Sequence, residues 1–188
     1  METRWLYVTS EQLPELRKES KEVCVIPMGC VEKRGTHLPL GTDMLQASVI
    51  THEASKIETF TVFPDFIFGD VPGNYPNMPE GTISIPLETQ MLLLEHICDQ
   101  IAKNGYKKIA IVNGHDGNKP WLSTFLRKLE NKPHNYVLVI INMKLMAPHE
   151  IDNSFIQMEA ERIAEAVRFL KEDEDLIKWH NENWNTNI

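Results

Sequence analysis

Cysteine is scarce in this sequence, which contains only Cys24, Cys30 and Cys98. An odd number of cysteines without paired spacing argues against a disulfide-stabilised secreted domain and favours free thiols in a reducing compartment. The sequence also lacks an apolar run of membrane-spanning length, and its first residues lack the basic and apolar pattern of a signal peptide. We therefore expect a cytoplasmic protein with no membrane partner.

Basic residues are also fewer than acidic ones. The sequence has 19 Lys and Arg residues and 27 Asp and Glu residues, which gives a net charge of −8. Nucleic acids and anionic membranes attract basic patches, so we expect neither as a partner. The sequence has no Gly-x-Ser-x-Gly motif, which argues against a serine-dependent α/β-hydrolase. With 188 residues, 42% of them apolar, the chain suffices for one domain over residues 1–188. We expect residues 171–188 to form a fraying tail.

Short apolar runs alternate with helical patterns along the chain. Apolar and β-branched runs predict strands over residues 23–28, 61–68, 108–113 and 136–142. Helical spacing of apolar side chains predicts helices over residues 10–20, 43–57, 87–104, 120–129 and 154–170. This alternation predicts an α/β fold, a three-layer α/β/α sandwich with a mainly parallel sheet. Residues 69–81 are rich in proline and glycine and predict a loop that could cover an active site.

Polar side chains follow two of the predicted strands directly. Glu32, Arg34, His37 and Asp43 come after the first strand, and the motif NGHDGN ends the third strand at residues 113–118. Open α/β sheets place their sites beyond the carboxyl ends of strands, so we expect the two loops to meet. The glycines of the second motif would allow the backbone to approach the site closely.

Glu32, Asp43 and His115 are the candidate metal ligands. Two carboxylates and one imidazole suit zinc, manganese or iron, and three protein ligands leave a position at which a metal activates water. Other roles are open at this stage, because His and Asp near glycines also make turn hydrogen bonds. Asp43 could cap the helix that follows it, and Asn118 could cap the next helix.

Three segments of the sequence resemble the creatininase (creatinine amidohydrolase) family. Residues 32–43, EKRGTHLPLGTD, resemble the signature ExHGxHLPxxxD, NGHDGN resembles NGHGGN, and the tripeptide GTI at residues 81–83 follows in family order. The resemblance implies an α/β/α fold, often a hexamer, and a dinuclear metal site that hydrolyses cyclic amides or formamides. Glu32, Asp43 and His115 fall on ligand positions, with Asp43 at the position that bridges the two metals.

Two departures from the family pattern matter for function. Arg34 stands where the family has a second ligand, a histidine, and a guanidinium has no lone pair to offer a metal. Arg34 could instead pair with Glu32 or Asp43 and place a positive charge where the second metal would sit. In addition, the family's C-terminal segment with Glu-Thr-Ser is not found. We therefore expect one metal rather than two, zinc first, with manganese or iron as alternatives.

The function predicted on this basis is metal-dependent hydrolysis of a small amide by a homo-oligomer. Asp116 could touch the substrate or act as general base for a metal-bound water, although an exposed turn residue is an equal alternative. His37 matches the motif without matching a ligand position, so we expect it to orient a neighbour. The competing hypothesis is a non-catalytic family relative whose degraded site binds a ligand or a partner subunit.

Overall fold

The structure is a computed structural model that describes residues 1–71, 79–144, 151–176 and 178. Its centre is a parallel sheet of four strands in the order β2-β1-β3-β4. The strands are β1 Val23–Met28, β2 Thr61–Val62, β3 Lys108–Asn113 and β4 Val137–Asn142. Every residue of β1 and β3 is buried, as expected for the central strands of a sheet covered on both faces.

Helices cover both faces of the sheet, so the predicted three-layer α/β/α architecture is confirmed. The helices are α1 Leu13–Glu19, α2 Thr42–Ile57, α3 Leu87–Lys103, α4 Asn118–Leu129 and α5 Asn153–Glu172. Helices α2 and α5 pack on one face, against Val25 and Val112 among others. Helices α3 and α4 pack on the opposite face, against Ile26 and Ile111. Successive side chains of each strand point to opposite faces of the sheet, so each strand contributes to two separate hydrophobic cores. None of the helices in the described ranges is long and apolar enough to cross a membrane.

Strand β2 is much shorter than the predicted strand over residues 61–68. Pro64 has no N–H to donate to the ladder, and regular pairing stops at Val62. Beyond Val62, the Phe63 N–H donates to the Val25 carbonyl at 2.8 Å. An isolated bridge then pairs Met28 with Phe66, where the Phe66 N–H donates to the Pro27 carbonyl at 2.8 Å. Of the predicted covering loop over residues 69–81, residues 72–78 lie outside the described residues.

Helix α5 extends two residues into the segment that was expected to fray. Lys171 is buried, and its Nζ donates to Glu58 Oε1 at 2.5 Å and to the Thr59 carbonyl at 2.8 Å. A lysine with its stem packed and its charge paired belongs to the folded unit, so α5 continues to Glu172, and the fraying of the residues beyond it stays a prediction. Residues 177 and 179–188 of the expected tail lie outside the described residues.

Glu159 ties α5 to the residues that follow β4. Its buried carboxylate accepts the Lys144 N–H at 3.0 Å and pairs with Arg162 at 2.7 Å. Burial alone would raise the pKa of Glu159, but the hydrogen bonds from Arg162 and from the Lys144 backbone lower it overall.

Candidate metal centre

The two polar loops start side by side, as predicted, because β1 and β3 are neighbours in the sheet. Met28 and Asn113 end the two strands in register, and the Gly114 N–H donates to the Met28 carbonyl at 2.9 Å. The chain beyond Met28 therefore faces the chain beyond Asn113 at the carboxyl edge of the sheet. Asp43 reaches the same place from the first turn of α2, where the positive end of a helix dipole favours a carboxylate.

Four side chains converge there: Cys30, Glu32, Asp43 and His115. Each offers one atom that can bind a metal, and these atoms all lie within 4.8 Å of one another. His115 Nδ1 lies 2.6 Å from Asp43 Oδ2, and the Cys30 sulfur lies 3.6 Å from that same oxygen. The structure thus brings together the three predicted ligands and adds Cys30, which sequence reasoning did not select.

His115 is held in a defined orientation by its second ring nitrogen. Nε2 lies 2.8 Å from the Asp70 carbonyl oxygen, which can only accept, so Nε2 carries a proton. Metal-binding histidines commonly donate their other N–H in this way. Nδ1 then faces the Asp43 carboxylate at 2.6 Å, and because both atoms hold lone pairs, a proton must lie between them at this distance. Burial would lower the pKa of His115, but the bonds to Asp43 and to the Asp70 carbonyl raise it overall.

Arg34 supplies a positive charge at the centre of the cluster. Its Nη2 pairs with Asp43 Oδ2, lies 3.1 Å from Glu32 Oε2 and lies 3.3 Å from His115 Nδ1. A pairing of Arg34 with Glu32 or Asp43 was expected, and the structure shows both pairs. Burial would raise the pKa of Asp43, but the hydrogen bond with His115 and the charge of Arg34 lower it overall.

Asn118 supports the His115 side of the cluster from the start of α4. Its buried side chain accepts the Asp70 N–H at 2.8 Å and donates to Asn113 Oδ1 at 3.0 Å. The Asp70 backbone is thereby fixed where its carbonyl meets His115. Gly117 leaves the space for this contact, because a Cβ there would lie 2.5 Å from His115 Nε2 and 2.6 Å from the Asp70 oxygen.

The capping roles considered for two residues are not those that the structure shows. Asp43 lies inside α2, whose N-cap is Gly41, and its carboxylate points to His115 and Arg34. Asn118 is the first residue of α4, and its side chain bonds to Asp70 and Asn113 as described above.

Asp116 and His37 lie outside the cluster. The Asp116 side chain is 61% exposed and forms an ion pair with Lys119. His37 is exposed, and no hydrogen bond between it and the cluster is recorded in the described ranges. The general-base role of Asp116 and the orienting role of His37 stay predictions.

The donor set fits one divalent ion. Carboxylate oxygen, imidazole nitrogen and thiolate sulfur are all zinc ligands, and zinc sites in proteins draw on this mixture. Arg34 Nη2 occupies the space between the donors, and the Arg34 side chain is 37% exposed, so it has an outward path to solvent. Arg34 Nε is buried without a hydrogen-bond partner, so one donor of this guanidinium is unsatisfied.

Comparison with known proteins assigns the family. The family model described as "Creatininase: Creatinine amidohydrolase" matches residues 7–187. The chain belongs to the creatininase family. It is 32% identical over 121 residues to the mycofactocin precursor peptide peptidase of Mycobacterium tuberculosis (strain CDC 1551 / Oshkosh). That match covers 58% of this chain and 45% of the relative, so the chain spans less than half the length of the curated relative.

Solved structures of the creatininase family share the fold. A mutant creatininase of Zn-Zn type superposes with a TM-score of 0.66 at 18% identity, covering 85% of this chain and 69% of that one. A Bacteroides fragilis protein with a provisional creatinine amidohydrolase assignment gives a TM-score of 0.60 at 16% identity. That match covers 100% of this chain and 99% of the other.

Proposed function

We propose that this protein is a metal-dependent hydrolase of amide C–N bonds that uses one divalent ion. Glu32, Asp43 and His115 would hold the ion. The observation that carries the proposal is their convergence, with all ligand atoms within 4.8 Å, at the carboxyl edge of a creatininase-type sheet. Zinc is the first candidate for the ion, with manganese or iron as alternatives.

The side chains have distinct parts in the proposed chemistry. The bound ion would supply a water of lowered pKa and polarise the carbonyl of the amide. Because Nε2 is committed to the Asp70 carbonyl, Nδ1 is the His115 atom that would release its proton and bind the ion. Arg34, once displaced from the space between the donors, would lie beside the ion, where its positive charge can stabilise negative charge on a substrate oxygen in place of the second ion of a dinuclear site.

Two classes of candidate substrate contain an amide C–N bond. The family resemblance favours small cyclic amides or formamides. The curated relative is named a peptide peptidase, and its 32% identity to this chain adds short peptides to the candidates. A peptide and a small amide present the same carbonyl and nitrogen to the metal, so the chemistry of the site is shared. A hexameric assembly and a cytoplasmic location stay predictions.

A second candidate function rests on Arg34. Its guanidinium already neutralises the cluster by contacting Glu32, Asp43 and His115. A site that carries its own cation could have lost the metal, leaving a non-catalytic relative that binds a ligand or a partner subunit. Metal content separates the two candidates directly.

The decisive experiment measures metal per chain by elemental analysis of protein purified without added metal or chelator. We expect about one equivalent in the wild type and in the control His96→Ala, whose histidine is exposed on α3, and none in His115→Ala. Equal metal in His115→Ala would refute the site. No metal in the wild type, even after zinc or manganese is added back, would favour the non-catalytic candidate.

The same proteins are then assayed against creatinine, simple formamides and a short-peptide mixture, and the hydrolysis product of each substrate is quantified by chromatography. The wild type should hydrolyse one class and His115→Ala none. Asp116→Asn tests the general base, because loss of that base would lower kcat while metal content stays at the wild-type level. A wild type that holds metal and hydrolyses none of the three classes would contradict the proposed substrates.

A further inference from the structure

Cys30 occupies a place in the cluster that the proposed chemistry does not use. It lies two residues beyond the end of β1 and is only 1% exposed. The backbone there is extended, because Val31 forms an antiparallel bridge with Ile83. Residues two apart in an extended segment point the same way, so Cys30 and Glu32 face the same site. The Cys30 sulfur lies 3.9 Å from Glu32 Oε2 and 3.6 Å from Asp43 Oδ2.

The other two cysteines show that burial alone does not explain this position. Cys24 and Cys98 are also fully buried, but both belong to the apolar core between the sheet and helices α3 and α4. The Cys30 sulfur instead lies beside two carboxylates. Carboxylate, imidazole and thiolate are all zinc ligands, so a buried sulfur beside these two carboxylates is positioned to bind the same ion.

The distances between donor atoms are close to those of a zinc site. With Zn–S near 2.3 Å and Zn–O near 2.0 Å, a tetrahedral site separates sulfur from oxygen by about 3.5 Å. The two sulfur–oxygen distances, 3.6 and 3.9 Å, are within about half an ångström of that value. The 2.6 Å between His115 Nδ1 and Asp43 Oδ2 is shorter than the roughly 3.3 Å of a tetrahedral edge, so this pair would separate when an ion enters.

We propose that Cys30 is a ligand of the metal ion and compensates for the histidine that is replaced by Arg34. This rests on the proposed function only in requiring a divalent ion at Glu32, Asp43 and His115. A thiolate ligand makes the site softer than an oxygen and nitrogen site, so it favours zinc and cobalt over manganese.

A fourth protein ligand also changes how water reaches the ion. Tetrahedral sites with four protein ligands are closed, and catalytic sites keep one position open. Glu32 is the most exposed of the carboxylate and imidazole ligands, with 26% of its side chain accessible, against 12% for Asp43 and 6% for His115. Among these three ligands, Glu32 would therefore be the one most accessible to an incoming water.

The test is a titration with Co²⁺ under reducing conditions, followed by absorption spectroscopy. A thiolate bound to cobalt gives an intense near-ultraviolet charge-transfer band, which oxygen and nitrogen ligands do not give. The wild type and the control Cys98→Ala should develop this band up to one equivalent. Cys30→Ser should lose the band and keep the weaker visible cobalt bands, because the other three ligands remain.

Each other outcome refutes a defined part of the proposal. Visible cobalt bands without the charge-transfer band in the wild type would exclude Cys30 as a ligand and leave the three-ligand site standing. A charge-transfer band that persists in Cys30→Ser would assign the sulfur to another residue. No cobalt binding to the wild type would refute the metal site itself. If Cys30→Ser fails to fold, X-ray absorption of the zinc-loaded wild type tests the ligand instead. A sulfur neighbour near 2.3 Å from zinc would support Cys30 as a ligand, and the absence of sulfur would refute it.

Discussion

Replacing Arg34 by methionine tests whether the guanidinium holds the metal-free site together. Methionine keeps an unbranched side chain and removes the charge that contacts Glu32, Asp43 and His115. Without that charge, His115 is the one cation among the described residues that contacts Asp43, and the two carboxylates lie close together at the edge of the core. We expect the metal-free variant to be less stable than the wild type.

The size of the effect follows from how far the pair is buried. Removing one partner of a fully buried ion pair costs about 3–5 kcal/mol, and an exposed pair contributes at most about 1 kcal/mol. Asp43 is 12% exposed and Arg34 is 37% exposed, so the pair lies between these limits, and we expect about 2 kcal/mol. For a domain of this length, 2 kcal/mol lowers Tm by roughly 4–8 °C.

The assay is thermal unfolding of Arg34→Met in the presence of chelator and of excess zinc. Lys33→Met is the matched control, because it removes the same charge from an exposed neighbouring position and should change stability by less than about 0.5 kcal/mol. Zinc at 100 times its Kd stabilises by about 2.7 kcal/mol, so it should restore the lost Tm of Arg34→Met. The variant should also bind zinc more tightly than the wild type, since no cation has to be displaced.

Two outcomes would refute this reasoning. If Arg34→Met melts at the wild-type temperature in chelator, the guanidinium does not stabilise the carboxylates. If zinc binds no more tightly to the variant, Arg34 does not compete with the ion.

Two further predictions test the surroundings of the cluster. Gly117→Ala would place a methyl group against His115 Nε2, so we expect metal affinity to fall by about 10–100-fold in competition titrations, while Gly41→Ala leaves it unchanged; equal affinities would contradict the contact. Glu159→Gln should destabilise the protein by about 1–3 kcal/mol at neutral pH, and Glu165→Gln, on the exposed side of the same helix, should not. Because folding lowers the pKa of Glu159, its contribution is present above its unfolded value near 4.5 and is lost as pH falls through the lower folded value, so the deficit in urea unfolding should shrink in acid. A deficit that is constant from pH 7 to pH 3 would assign it to packing instead.

The sheet and the position of the site could be predicted because both depend on local patterns. Strands β1 and β3 are continuous apolar runs, and each ends directly at polar residues and glycines. The pairing of Arg34 with carboxylates also followed from chemistry, since a guanidinium cannot replace a histidine as a ligand.

The features that were missed depend on contacts between distant parts of the chain. Cys30 looks in sequence like Cys24 and Cys98, a small residue in or near an apolar run, and only the folded position of its sulfur distinguishes it. Lys171 looks like the start of a charged tail, and its partner Glu58 is 113 residues away. Neither contact leaves a signal in local composition.

The pairing of β1 with β3 has a consequence for the order of events during folding. Asp43 and His115 are 72 residues apart in the chain, and parallel pairing of β1 with β3 joins their two segments. Contacts across such a separation carry a large loop-closure entropy and form slowly. A nascent or partly folded chain therefore has carboxylates and an imidazole but no shared site for an ion. Under the proposed function, metal binding would require the β1–β3 pairing to be complete, so the rate of metal uptake during refolding would report on that pairing step.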